Sequence, residues 1–560
     1  MKNGDGSWRL GKFINSFDYS LDFIKLCEIC PDFLFTDGKK QYTKEIINVT
    51  FKYAYKEFNQ IRRGVWVRAG YDYAKIQFVD GVCIQENVLI GIETDIPVTQ
   101  FVQSELLPSY FGIEKDHYVK LREPKVLLNR SEIRLDLYEH GFWAEGIHYV
   151  RMKRSSGSAR VGKCLFINEE YYKELHTWEM CGLDVKKGDP VDLAALESYI
   201  SLSTSSIIST IEIDPRSILI IDDYDSVFEE EVVNVVDKDG HLEARREKIQ
   251  IKNSIWDGES LADSSLFPEG SRWGMMLLRN QFFKSCCFNT NLTQWFKDQG
   301  ITEISQLKGF TLAEKIEDVK LITTPNSIKY LKFGDAETWL NHISSTFGVV
   351  KHEKRTHYLD GMAVQTHYQL LNTLQLSEEK MREFLTPSLE FAQALKSDPA
   401  VVRYFIKFPA EKEYNPIPML TAEDVVFNMM CVNDRFTATK YYQSFTVDLL
   451  RAYYGNLKCG HVLVNGNYST LVGNPFEMLK AAIGRFDGKS ELGVGNVYSK
   501  RFGVDKTILC SRSPHVAAGN ILLVQNVGNE DIDKYFNFTK EIIVINSIGE
   551  NILNRLSGAD

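Results

Sequence analysis

Apolar and polar positions along this chain fall into blocks of helix-like and strand-like period. SLDFIKLCEICPDFLF (20–35) carries apolar residues at helical spacing and predicts a helix stopped by Pro31. GVWVRAGYDYAKIQFVDGVCIQENVLIGIET (64–94) alternates apolar and polar residues between Gly and Asp breaks, the pattern of a β-meander. Residues 141–175 set a basic, Ser/Gly-rich turn between two β-prone runs. Residues 176–215 read as helical down to the Ser-rich SLSTSSIIST (201–210). SILIIDDYDSVF (217–228) is an apolar strand running into an acidic loop, and VDKDGHLEARREK (236–248) is a charged, exposed excursion.

Residues 250–335 give short strands between turns: SIWDGESLADSSLF, GMMLLRNQFFKSCCFNTNL and DVKLITTPNSIKYLKF. Residues 336–456 are mostly helical. LSEEKMREFLTPSLEFAQALKS (376–397) predicts a helix kinked at Pro387, and 424–455 a second long helical region. From 457 short strands return in KCGHVLVNG, YSTLVGNP, TILCSRSP, GNILLVQN and EIIVINS. Two β-rich blocks on either side of a helical stretch make a coarse duplication, without a simple tandem repeat.

The 560 residues correspond to three or four domains at roughly 150 residues each. With 44% hydrophobic and 25% charged residues, the composition is that of a globular chain and excludes broad disorder. Only 15 prolines exclude collagen-like and Pro-rich linker proteins. A net charge of -10 shows no global basic character, so any nucleic-acid contact depends on where Lys and Arg cluster. The start, MKNGDGSWRLGKF, lacks an apolar core, and no run of 18 apolar residues occurs. Neither a signal peptide nor a membrane span is expected. Cys27 and Cys30 form the single CxxC among 10 cysteines, with no second ligand pair to complete a zinc site. Cys286 and Cys287 read as buried thiols, and a reducing, cytoplasmic location is expected.

Candidate chemistry concentrates in three places. Arg151, Lys153, Arg154, Arg160 and Lys163 fall within thirteen residues and form a basic strand-turn able to track a nucleic-acid backbone by charge; an exposed loop without a ligand is the alternative. FFKSC places Lys284 at a strand end, and TTPNSIKYLKF adds Ser327, Lys329 and Lys332. TILCSRSPHVAAGNILLVQN, followed by EIIVINSIGENILNRLSGAD, ends on Asp560. Asp257-Gly258-Glu259, Gly473-Asn474-Pro475 and Asp487-Gly488 read as turns, and His352, His357 and His367 have no Cys or carboxylate frame for a metal.

The last of these segments resembles the large catalytic subunit of multisubunit RNA polymerases. It also resembles the single-chain two-barrel polymerases, which include the RNA-silencing RNA-dependent RNA polymerases and their phage relatives. In that superfamily an Arg-x-Pro segment precedes a strand, and Asn-Ala-Asp-x-Asp-Gly-Asp follows some tens of residues later. Its aspartates hold Mg²⁺ on a loop of a double-psi β-barrel. By this resemblance Asp560 matches the first of the three aspartates and the chain stops inside that loop. Arg512 and Pro514 match the segment that contacts the nucleotide sugar. Lys284, Ser327, Lys329 and Lys332 match the partner barrel's phosphate-facing residues, with Ser285 where the family has Gly.

The resemblance implies an α+β fold of two double-psi β-barrels joined by a helical connector. Expected boundaries are an N-terminal domain (1–140), a first barrel region (141–335), the connector (336–456) and a truncated second barrel (457–560). It implies template-directed RNA synthesis using Mg²⁺, or Mn²⁺ in its place. The partners would be template nucleic acid, nascent RNA and ribonucleoside triphosphates. A polypeptide ending at Asp560 is expected to be inactive, since one carboxylate cannot organise two ions. A phage or mobile-element origin fits a single-chain polymerase. The alternative is a non-catalytic nucleic-acid-binding or assembly protein that keeps the barrel scaffold.

Overall fold

The computed structural model describes residues 17–50, 65–76 and 135–557, apart from 38–39, 70–71, 136, 145, 154–162, 187, 269, 271, 360, 408–420 and 516. The fold is mixed α+β and divides into two units. One comprises Met1–Ile220, Met276–Cys287 and Phe310–Lys351; the other comprises Ile221–Met275, Phe288–Gly309 and His352–Asp560.

In the first unit, the helix Leu21–Ile29 starts where the Ser20 hydroxyl accepts the Phe23 amide at 3.2 Å, and ends at Cys30, ahead of Pro31. It packs with the helix Glu169–Met180 over a core of Leu26, Phe33, Ile46, Ile167 and Leu175. A four-stranded antiparallel sheet runs in the order Ile46–Thr50, Lys163–Asn168, Ile147–Lys153, Phe142–Ala144. The predicted meander is present as the hairpin of Val65–Ala69 and Asp72–Ile76; residues 77–94 lie outside the described residues. The stretch 176–215 is helical only in part, because the Leu193–Ile200 helix gives way to the strand Ser209–Glu212.

Ile218–Ile220 lies parallel to Leu321–Thr323 and antiparallel to Phe310–Thr311. Met275–Asn280 and Phe283–Thr290 are neighbouring strands joined through Gln281 and Phe282. Phe282 sits in the left-handed region at φ 54°, which costs a side-chain-bearing residue about 1–2 kcal/mol. Packing offsets that cost. The Phe282 ring is fully buried, edge-on to Tyr330 at 5.4 Å, and the Trp339 indole donates to the Gln281 carbonyl at 3.0 Å.

In the second unit, the charged excursion is the tip of a long ribbon, Asp225–Lys238 paired with His241–Ser254, turned at Asp239 and Gly240 with φ 55° and 80°. The strand Glu259–Asp263 is buried at all five positions. The helix Glu378–Ser397 runs continuously with Pro387 inside it. The second long helical region is two helices, Ala422–Val432 and Lys440–Lys458, because Asn433 and Thr439 each cap a new turn. Ala392, Leu395, Val402, Val426, Phe436 and Tyr453 form their shared core.

The chain then enters a mixed five-stranded sheet in the order Thr470–Gly473, Ile542–Ile545, Asn496–Tyr498, Ile521–Asn526, Lys506–Ser511. The helix Ile552–Ser557 closes it, with Ile552 and Leu556 against Val497, Leu522 and Ile545. No helix of the described residues is long and apolar enough to cross a membrane.

Candidate active site

The lysine-bearing segments of the first unit meet. The Lys284 amide donates to the Ser327 carbonyl at 3.1 Å, the Lys329 amide donates to the Phe282 carbonyl at 2.7 Å, and Phe283 bridges Ile328 in antiparallel fashion. Ser285 is buried, and its hydroxyl oxygen accepts from the Ser327 hydroxyl at 3.0 Å. A serine in place of glycine thus supplies a partner to a second buried hydroxyl. Lys284 stands exposed, whereas the Lys329 ammonium folds back onto the Asn326 carbonyl. Lys332 is drawn to Tyr199, its Nζ 2.8 Å from the phenol oxygen and 5.2 Å from the ring centre.

The basic cluster is divided. Lys153 is not a surface charge: it is 2% exposed, 2.7 Å from Asp22 and 2.5 Å from Glu179, and it donates to the Ser203 hydroxyl at 3.0 Å. Two carboxylates around one buried ammonium remove it from any role in gripping RNA. Burial pushes the Asp22 carboxyl up to about 6, against the pull of Lys153. Arg151 is half-buried, pairs with Glu197 and covers the Tyr138 ring at 4.6 Å. Lys163 is partly exposed at a strand start, and Arg154 and Arg160 lie outside the described residues.

In the second unit, Arg512 is exposed just past the strand Lys506–Ser511, followed by the cis Ser513-Pro514 bond with Pro514 exposed. The flanking side chains reach the short helix Tyr368–Thr373 and its cap. Ser513 Oγ is 2.9 Å from His367 Nδ1, and His515 Nδ1 is 2.9 Å from Thr373 Oγ1. The His515 amide donates to Gln369 Oε1 at 3.3 Å. Desolvation, with His367 behind it, pushes the His515 imidazole below the ordinary histidine range. His367, read from the sequence as an unframed histidine, is therefore a structural partner of the Arg512 segment.

Asp560 lies outside the described residues, but the chain leading to it is held by a buried polar cage that the sequence did not announce. Asn474, left-handed at φ 51°, accepts the Ser547 amide at 2.7 Å and donates to Asn546 Oδ1 at 3.3 Å. Asn546 donates to Glu550 at 2.5 Å, and Glu550 accepts the Gly495 amide at 2.9 Å. Asn253 donates to the Ser547 and Glu550 carbonyls at 3.2 and 3.0 Å. The predicted Asp257-Gly258 turn forms, with Gly258 at φ 69°, and leads to buried Glu259, which accepts the Gly473 amide at 3.2 Å. Burial raises the Glu259, Glu477 and Glu550 carboxyls above the usual carboxylate range. Left-handed Asn474 ahead of Pro475 was the one legible hint.

Cys27 and Cys30 are free thiols, and among the described residues no group of three or more His, Cys, Asp or Glu could cage a metal. No family model and no curated protein matches the sequence. The solved structures do offer a match. The chain is similar in fold to the RNA-dependent RNA polymerase QDE-1 from Thielavia terrestris, with a TM-score of 0.50 at 15% identity over 89% of this chain. The match covers 52% of that polymerase, so the chain spans about half its length.

Proposed function

From the premise that this chain has the fold of an RNA-dependent RNA polymerase, we propose that it belongs to a template-directed nucleotidyltransferase that extends RNA with ribonucleoside triphosphates. The junction of Lys284 with Ser327 carries the reading, because it joins the two lysine segments picked out by resemblance in a chain of that fold. Residues 141–335 and 457–560 would supply the two barrels, 336–456 the connector, and 1–140 a further domain.

In this reading Lys284 and Lys329 offset triphosphate charge, Lys332 lends its positive field from beside Tyr199, and Ser327 fixes the turn that carries Lys329. Arg512, with Pro514 behind it, orients the sugar of the incoming nucleotide, a task suited to a planar, always-charged fork. Asp560 would be a ligand of Mg²⁺ or Mn²⁺, an assignment that rests on the resemblance; the bound ions would neutralise charge developing at the transferred phosphate. Arg151 and Lys163, with Arg154 and Arg160, would line the path of template and product. Against a net charge of -10, that path must be a locally positive channel.

The test is divalent-metal-dependent ribonucleotide incorporation on an RNA template by the full-length polypeptide. Asp560→Ala should abolish it. Undiminished incorporation by Asp560→Ala removes the metal assignment. No incorporation by the intact protein favours a binding or assembly role.

A further inference from the structure

Past Ser511, the last residue paired in its strand, the Arg512 segment leaves the sheet. Hydrogen bonds from Ser513 and His515 then anchor it to His367–Thr373.

The Gln369 amide lies 3.4 Å from His367 Nδ1, a long contact that caps the helix. The Ser513 hydroxyl, 2.9 Å away, is the closer hydrogen-bond partner of the same atom. Thr373 spends its own proton on the Gln369 carbonyl at 2.8 Å, so it accepts from His515 Nδ1–H. His367 is itself packed on Tyr368, with ring centres 4.4 Å apart.

We propose that His367 and the helix Tyr368–Thr373 form a brace that sets where Arg512 emerges, making His367 and His515 positioning residues for ribose recognition. The inference rests on the role given to Arg512 above. A brace of this kind matters because a guanidinium on a free loop spends binding energy on ordering itself, whereas one launched from a fixed backbone does not.

The experiment compares kcat/KM for ribo- and deoxyribonucleoside triphosphates in the full-length protein, alongside amide hydrogen exchange across 511–515. Arg512→Ala should collapse the preference for ribose. His367→Ala should lower it by about threefold to tenfold, the worth of one neutral hydrogen bond, and speed exchange across the segment. His367→Asn keeps an acceptor and a helix cap, and should restore both readouts. Should His367→Ala disturb folding, Ser513→Ala removes the same bond from the other side and should give the same loss. A preference kept in His367→Ala and Ser513→Ala but lost in Arg512→Ala refutes the brace and leaves the polymerase reading standing. A preference kept in Arg512→Ala refutes the role beneath it, and the brace with it.

Discussion

The backbone amide of Lys284 donates to the carbonyl oxygen of Ser327 at 3.1 Å, so a strand end and a turn more than forty residues later act as one piece. Beside it the Ser327 hydroxyl donates to the Ser285 hydroxyl oxygen, both out of contact with water. Ser327→Ala should therefore destabilise by about 1–3 kcal/mol, by stripping a buried partner. Ser285→Ala with Ser327→Ala should cost less than the two single changes added together. Urea unfolding of the four proteins measures the coupling.

Lys284 is exposed, so its removal should spare the fold and cost chemistry. In Lys284→Ala the thermal midpoint should hold, while KM for ribonucleoside triphosphates rises about tenfold or more, the worth of a charge-assisted contact. A KM unchanged across the four triphosphates would take Lys284 out of the site.

Lys153 predicts the reverse. Lys153→Met leaves Asp22 and Glu179 buried without their counter-ion and should destabilise by about 3–5 kcal/mol. The comparison is with Lys163→Met, at a more accessible position, which should change stability little and weaken RNA retention at low salt. Thermal unfolding and a salt titration of RNA binding separate the two.

Asp22 adds a pH dependence. Its folded pKa, pushed up to about 6 from an ordinary 3.8, means the folded chain binds this proton more tightly than the unfolded one. The stability it contributes is present below pH 4 and is lost as pH rises through 6. Relative to Asp22→Asn, the wild type should lose ground between pH 4 and 6 and hold level above it. A flat difference across that range would mean the carboxyl titrates normally.

Local signals were legible and distant partnerships were not. The helix at Leu21–Ile29 was readable because its cap and stop, Ser20 and Pro31, adjoin it. The turn at Asp257-Gly258 was readable because left-handed backbone calls for a residue such as Gly258. Lys153 misled because a run of basic residues looks solvated, and nothing nearby announces that Asp22 will meet it across the fold. The Pro387 helix was placed correctly, but the break at Asn433 was passed over, since a cap and a helix-interior Asn look alike until a second cap follows. At the site, the family resemblance pointed to Lys284, Ser327, Lys329 and Lys332 as a set. The link between His367 and Ser513, 146 positions apart, needed the fold.

The ribbon Asp225–Ser254 offers something practical. Its two 14-residue arms pair with each other, and most of their side chains face water. A tag, a dye or a tether spliced in at Gly240 should ride on the end of this stalk without disturbing the folded body. Any engineer wanting to immobilise the protein, or to follow it one molecule at a time, has a ready-made handle there.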